Sequence, residues 1–153
     1  MRILLPLAAL ALTLLAAPAL AGTIEARGAW IRTPPPGAET AAGYATILNR
    51  GTLPDRLLGG RTAVASAVAP HQMLMQGGVM RMRPIAGGLL IAARSSVRLE
   101  PNADHLMLFG LKRPLRAGQH VRIVLRFAKA GAVPVDFVVM DTPPADPRPH
   151  MHM

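Results

Sequence analysis

Methionine and histidine are unevenly spread along this chain of 153 residues. After the initiator, no methionine occurs before Met73. Met73, Met75, Met80, Met82 and Met107 then crowd together, Met140 stands alone, and Met151 and Met153 close the chain. Four of the 5 histidines keep the same company: His71, His105, His150 and His152. There is no cysteine. Thioether and imidazole without thiolate form a soft, neutral donor set, which among the common biological metals suits Cu(I) best. Cu(II) prefers harder nitrogen and oxygen donors in a tetragonal arrangement, and this set contains no carboxylate. A blue-copper electron-transfer centre requires a Cys thiolate, and structural zinc would call for Cys or more His.

The segment before the methionines has a different purpose. Arg2, the apolar stretch Ile3 to Leu15 and the Ala19-Leu20-Ala21 site read as a secretory signal peptide over 1–21, cleaved before Gly22. The apolar run is interrupted by Pro6 and Pro18 and is short for a membrane span, so stable membrane insertion is not expected. No Cys follows Ala21, which argues against a lipid anchor at that point. Export implies a periplasmic address, where a thiol-based copper site risks oxidation to a disulfide; methionine sulfur does not form one. Without Arg2 the net charge is +8, one less than the +9 of the whole chain. The basic residues are scattered arginines, and with 1 Trp, 1 Tyr and 3 Phe there is no stacking platform for single strands, so nucleic acid is not an expected partner.

From 22 to 140 short apolar or alternating runs are punctuated by Pro and Gly at intervals of about 8–12 residues, the pattern of an all-β sandwich or barrel in one domain. The runs are Ile24 to Ile31, Gly43 to Leu48, Arg56 to Ala69 (one strand or two), His71 to Met75, Val79 to Arg83, Leu89 to Ile91, Ser96 to Leu99, His105 to Leu108, His120 to Phe127 and Val133 to Met140. Residues 141–153 form a Pro-rich linker ending in His150-Met151-His152-Met153, expected to be extended and flexible.

A strand turns alternate side chains to one face. His71, Met73 and Met75 therefore point one way, Met80 and Met82 share a face of the next strand, and His105 and Met107 share one on a third. A hairpin around Gln76-Gly77-Gly78 brings Met80 or Met82 back over His71. Three neighbouring segments can thus converge soft ligands on one pole of a sandwich. The plainer reading of any single strand methionine is core filler, and for Met80, beside Val79 in the hairpin, packing is the expected role. His120 opens a strand with no methionine nearby and is expected to be exposed or hydrogen-bonded.

The stretch His71 to Leu115, HQMLMQGGVMRMRPIAGG…LEPNADHLMLFGLKRPL, resembles the periplasmic copper chaperones of the PCuAC family. His71 and Met82 are separated by ten residues, Met82 and His105 by 22, and Met107 completes a His-x-Met. Gly28-Ala29-Trp30-Ile31-Arg32 with Pro34-Pro35, and Ala42 to Thr46, resemble the family's N-terminal half. The resemblance implies a cupredoxin-like (Ig-like) β-sandwich or barrel that binds Cu(I) and hands it to the Cu(A) centre of cytochrome c oxidase, on subunit II, or to another copper-transfer protein. Carried over residue by residue, it implies the ligands His71, Met82, His105 and Met107. Met73, Met75 and Met80 lie outside those four positions and are candidate secondary ligands. Asp104 stands where family members often carry an aromatic residue.

His150, Met151, His152 and Met153 are read as a tethered second copper site, for Cu(I) or Cu(II), that raises the local metal concentration. Replaceable neutral ligands favour transfer over catalysis. No Ser/His/Asp arrangement presents itself, and the chain is read as a monomeric chaperone rather than an enzyme. Its nearest rival is a copper-scavenging or resistance protein that delivers to no oxidase.

Overall fold

The computed structural model describes residues 22–145; the expected signal peptide and the His150–Met153 tail lie outside these. Ten strands follow in order: β1 (Ile24–Arg32), β2 (Thr40–Asn49), β3 (Asp55–Thr62), β4 (Ala65–Gln76), β5 (Val79–Pro84), β6 (Leu89–Ile91), β7 (Ser95–Leu99), β8 (His105–Leu111), β9 (His120–Phe127) and β10 (Gly131–Met140). Alternation explains most of them. In β9, Val121, Ile123, Leu125 and Phe127 are buried, while His120, Arg122 and Arg126 face solvent. In β10, Phe137 and Val139 are fully buried. No helix among the described residues is long and apolar enough to cross a membrane.

Hydrogen-bonded neighbours run β4-β8-β2-β1-β10-β9-β3, and β3 pairs back to β4, closing a seven-stranded barrel. β1 and β10 are parallel, and the pairs β4–β8 and β2–β8 antiparallel. The remaining strands are attached outside the ring: β5 to β4, β6 to β3 and β7 to β2. Closure gives one continuous interior. Ile31, Ile47, Leu57, Ile91, Leu106, Leu108, Ile123 and Leu125 fill it, each with essentially no exposed surface.

The stretch Arg56 to Ala69 holds two strands, β3 and β4, divided by a turn before Ala65. Pro70 does not end β4, which continues to Gln76. The N–H and C=O of a residue point to the same side of a strand, and the Pro70 carbonyl accepts from the Ile85 N–H on the β5 side. The missing Pro70 N–H therefore falls at the seam where β3, paired to β4 up to Val68, gives way to β5, paired from His71. A proline costs no ladder hydrogen bond there.

Asp55 is the one buried carboxylate among the described residues, 5% exposed. Its Oδ1 accepts from the backbone N–H groups of Arg56 and Lys129, both at 2.8 Å, and its Oδ2 from that of Ala130 at 2.9 Å. It thereby satisfies the turn between β9 and β10 from the start of β3. Asp55→Ala strands these amides and should destabilise the fold by about 3 kcal/mol, read in urea unfolding as a lower midpoint with an unchanged slope; a loss under about 0.5 kcal/mol would show that water replaces the carboxylate.

Candidate metal centre

Inward residues of β4 and β8 build the core, and the alternate ones build a site on the outside of the barrel. Leu106 and Leu108 point in, so His105, Met107 and Phe109 point out. The β4–β8 register places His71 directly opposite His105 and Ala69 opposite Met107, which also faces Ala42 of β2. Both imidazoles are only 6% exposed despite facing outward. Aromatic neighbours account for this. The two His rings stack with centroids 6.2 Å apart, Phe109 lies 5.3 Å from His71, and Tyr44 lies 6.4 Å from His105. Trp30 packs on Tyr44 at 4.7 Å, with the Arg32 guanidinium 5.9 Å from the Trp30 ring. Burial pushes the Tyr44 phenol above its ordinary value, so it remains neutral.

The third strand enters through a tight hairpin. Gly77 and Gly78 have φ of 57° and 77°, the two successive positive values that a two-residue type I′ turn requires. This turn sets Met75 opposite Met80, Met73 opposite Met82, and His71 opposite Pro84. Met82 is therefore one rung beyond His71 rather than over it. Its side chain reaches across β4, and its Sδ lies 3.1 Å from His105 Nε2.

Both histidines are oriented by backbone carbonyls. His105 Nδ1 lies 2.9 Å from the Ala103 oxygen and His71 Nδ1 lies 3.3 Å from the Ala69 oxygen. A carbonyl only accepts, so in each neutral ring Nδ1 carries the hydrogen and Nε2 keeps its lone pair. The loop before β8 presents the Ala103 carbonyl: Asn102 takes the left-handed conformation at φ 65°, and Glu100 is bonded on both sides, its N–H to the Asp104 carbonyl and its carbonyl to the Ala103 N–H. With Nδ1 so occupied, the close approach of His105 Nε2 to Met82 Sδ sets two lone pairs against each other. A soft cation between them would relieve that opposition. No three His, Cys, Asp or Glu side chains come together among the described residues.

The structure thus gathers His71, His105 and Met82, and sets Met107 half-buried on the same face, one rung from His105 between two alanines. Met73 is half-buried beside Met82. Met80, expected as hairpin packing, is instead 44% exposed, because β5 pairs only with β4 outside the barrel wall and has no interior to fill. His120 is exposed at the start of β9, on the strand pair carrying the Arg122–Asp136 ion pair. The sequence reading missed the orienting Ala69 and Ala103 carbonyls, which no side-chain pattern betrays. It also missed Phe109, although its place two residues after Met107 in the same alternation marks it as a neighbour.

This cupredoxin-like all-β barrel is the fold of PCuAC domains. The chain matches a solved structure described as the copper-bound PCuAC domain from PmoF2 at 26% identity and TM-score 0.66, covering 79% of this chain and 95% of that one. It matches the solution structure of CuI-DR1885 from Deinococcus radiodurans at 33% identity and TM-score 0.57, covering 74% and 76%. The family described as "Putative lipoprotein LpqE-like" matches residues 24–139, and the chain belongs to it. A protein of Leifsonia xyli subsp. xyli, Lxx21020, which carries the same lipoprotein label, is 31% identical over 118 residues, 77% of this chain and 70% of its own length.

In the metal-free protein, long-range proton–nitrogen NMR spectra of the neutral imidazoles should show both rings as the Nδ1–H form. A neutral His105 ring carrying its hydrogen on Nε2 would refute the orientation argued from Ala103.

Proposed function

We propose that this protein is an exported, periplasmic copper chaperone that binds Cu(I) through His71, Met82, His105 and Met107 and passes it to a partner, the Cu(A) centre on subunit II of cytochrome c oxidase being the favoured acceptor. The observation that carries this reading is the approach of Met82 Sδ to His105 Nε2, beside a second imidazole paired across the sheet. Solved relatives described as a copper-bound PCuAC domain and as CuI-DR1885 support it. Two neutral nitrogens and two thioethers leave the bound ion with its single charge, a state tolerable at a half-open surface.

The same donors favour exchange over catalysis. His71 and His105 are held in the barrel wall, whereas Met82 is 41% exposed on the outer strand and is the ligand a partner can displace first. A partner offering its own thioether or imidazole can then take the ion one bond at a time, without a naked Cu(I) intermediate. The tail His150-Met151-His152-Met153, outside the described residues, is proposed as a tethered accessory site that keeps copper near the domain.

Met82→Leu and Met107→Leu keep side-chain volume and should fold normally, since the swap is close to isosteric. Each should lower Cu(I) affinity by about 100-fold, at least the loss expected on disturbing a metal's supporting residues, in anaerobic competition with a Cu(I) chelator. Unchanged affinity in both variants would end the ligand assignment. X-ray absorption of the wild-type complex should show both Cu–N and Cu–S shells.

Protons compete with copper for imidazole nitrogen. Affinity should therefore fall as the medium is taken from about pH 7.5 to about pH 5, the span in which histidine ordinarily gains its charge. An affinity that holds steady across that span would remove imidazole from the site. Deleting 148–153 should reduce the copper bound at saturation without changing the domain's own affinity; an unchanged stoichiometry for both oxidation states would dismiss the tail.

A further inference from the structure

Beyond the inner cluster, the β4–β5 ribbon carries methionine on both rungs of one face, Met73 opposite Met82 and Met75 opposite Met80. Core packing does not explain the outer rung. Past His71, β4 has no partner but β5, so residues 72–83 form a two-stranded ribbon that projects from the barrel wall. Met75 is 64% exposed and Met80 44%. The register assigns Gln72, Leu74, Gln76, Val79, Arg81 and Arg83 to the reverse face, where Arg83 Nη2 donates to Gln76 Oε1 at 2.9 Å. The arginines are thus kept away from the thioethers, and no cationic side chain of the ribbon shares their face.

The spacing suits a soft ion. Residues directly opposite on an antiparallel pair have Cβ atoms about 5 Å apart, within which two flexible thioethers close readily on one atom. Successive rungs on one face are separated by about 7 Å. Sulfur donors therefore run from the Gly77–Gly78 tip to Met82, whose Sδ already touches His105.

We propose that Met75 and Met80 form a second, thioether-only Cu(I) site at the tip of this ribbon, with Met73 as the step that links it to the inner cluster. Its ligands are uncharged at every pH, it is open to solvent, and it is the first soft donor pair an approaching partner meets. Its existence rests on the ladder alone; its role as the entry and exit point for copper rests on the inner site being the destination.

Ag(I), a redox-inert d10 ion of similar preference, supplies the test, with the methionine methyl groups of the full exported chain observed one by one by carbon-13 NMR. Met82 and Met107 should shift with the first equivalent, and Met75 and Met80 together with a later one. In a His71→Ala/His105→Ala chain the shifts of Met75 and Met80 should persist. Met75→Leu/Met80→Leu should abolish the later event, leave the first intact, and slow Cu(I) transfer from a thiol complex into the inner site. Met75 and Met80 methyls that stay still through several equivalents would overturn the proposal while leaving the inner site standing. Shifts at Met75 and Met80 without any at Met82 and Met107 would uphold the ladder and sink the inner site instead.

Discussion

The pairing of His71 with His105 across β4 and β8 is the constraint on which the site depends. A slip of one residue would turn one imidazole into the barrel and leave the other facing solvent without its partner. The register is held from behind. Val68 on β4 and Leu106 and Leu108 on β8 are locked into the interior, and alternation then forces Ala69, His71, His105 and Met107 outward together. The hydrophobic core thus positions the donors although none of them belongs to it. Ala69 and Ala42 extend the same logic: small side chains on either side of Met107 leave space above that part of the sheet.

The donors are held with unequal firmness. His71 and His105 are buried, their Nδ1 atoms engaged by the carbonyls two residues earlier, and their rings confined by Phe109 and Tyr44. This resolves the usual difficulty of burying a polar ring, since only Nε2 lacks a conventional partner, and in His105 that atom faces a sulfur. Met82 arrives from a strand outside the barrel wall and remains 41% exposed. If these are the ligands proposed above, a rigid nitrogen pair and a loosely supported sulfur would make a grip that selects a soft ion yet yields it stepwise.

Much of this was legible in the residues. Period-two alternation located β8, β9 and β10, and the Gly77–Gly78 pair announced the hairpin. The spacing of His71, Met82, His105 and Met107 pointed to one pole, and the structure sets them on one face of neighbouring strands. What failed were inferences needing tertiary context. Pro70 reads as a strand end because its missing N–H matters in most positions, but it lies at a seam between partners. Met80 reads as filler because a hairpin of apolar alternation normally covers a core. Whether it does so depends on which strand closes the barrel, and closure by β3 onto β4 is a pairing that no local pattern encodes.

An isolated two-stranded hairpin has little stability in water, so the ribbon carrying Met82 must borrow its order. Three features lend it: β4 is continuous with the barrel wall, the Ile85 N–H bonds the Pro70 carbonyl at the ribbon's base, and Arg83 bonds Gln76 along its reverse face. Exposure along the whole of β5 shows that apolar burial lends almost nothing. An ion held jointly by Met82 and His105, as proposed, would join β5 to β8, two strands that share no hydrogen-bond ladder because β4 lies between them. Occupancy and ribbon order would then be thermodynamically linked: binding only the ordered ribbon, the ion would stabilise it, and whatever loosens the ribbon would release the ion. The attachment of β5 outside the ring, which leaves its methionines bare, would also let such a site open without disturbing the core beneath it.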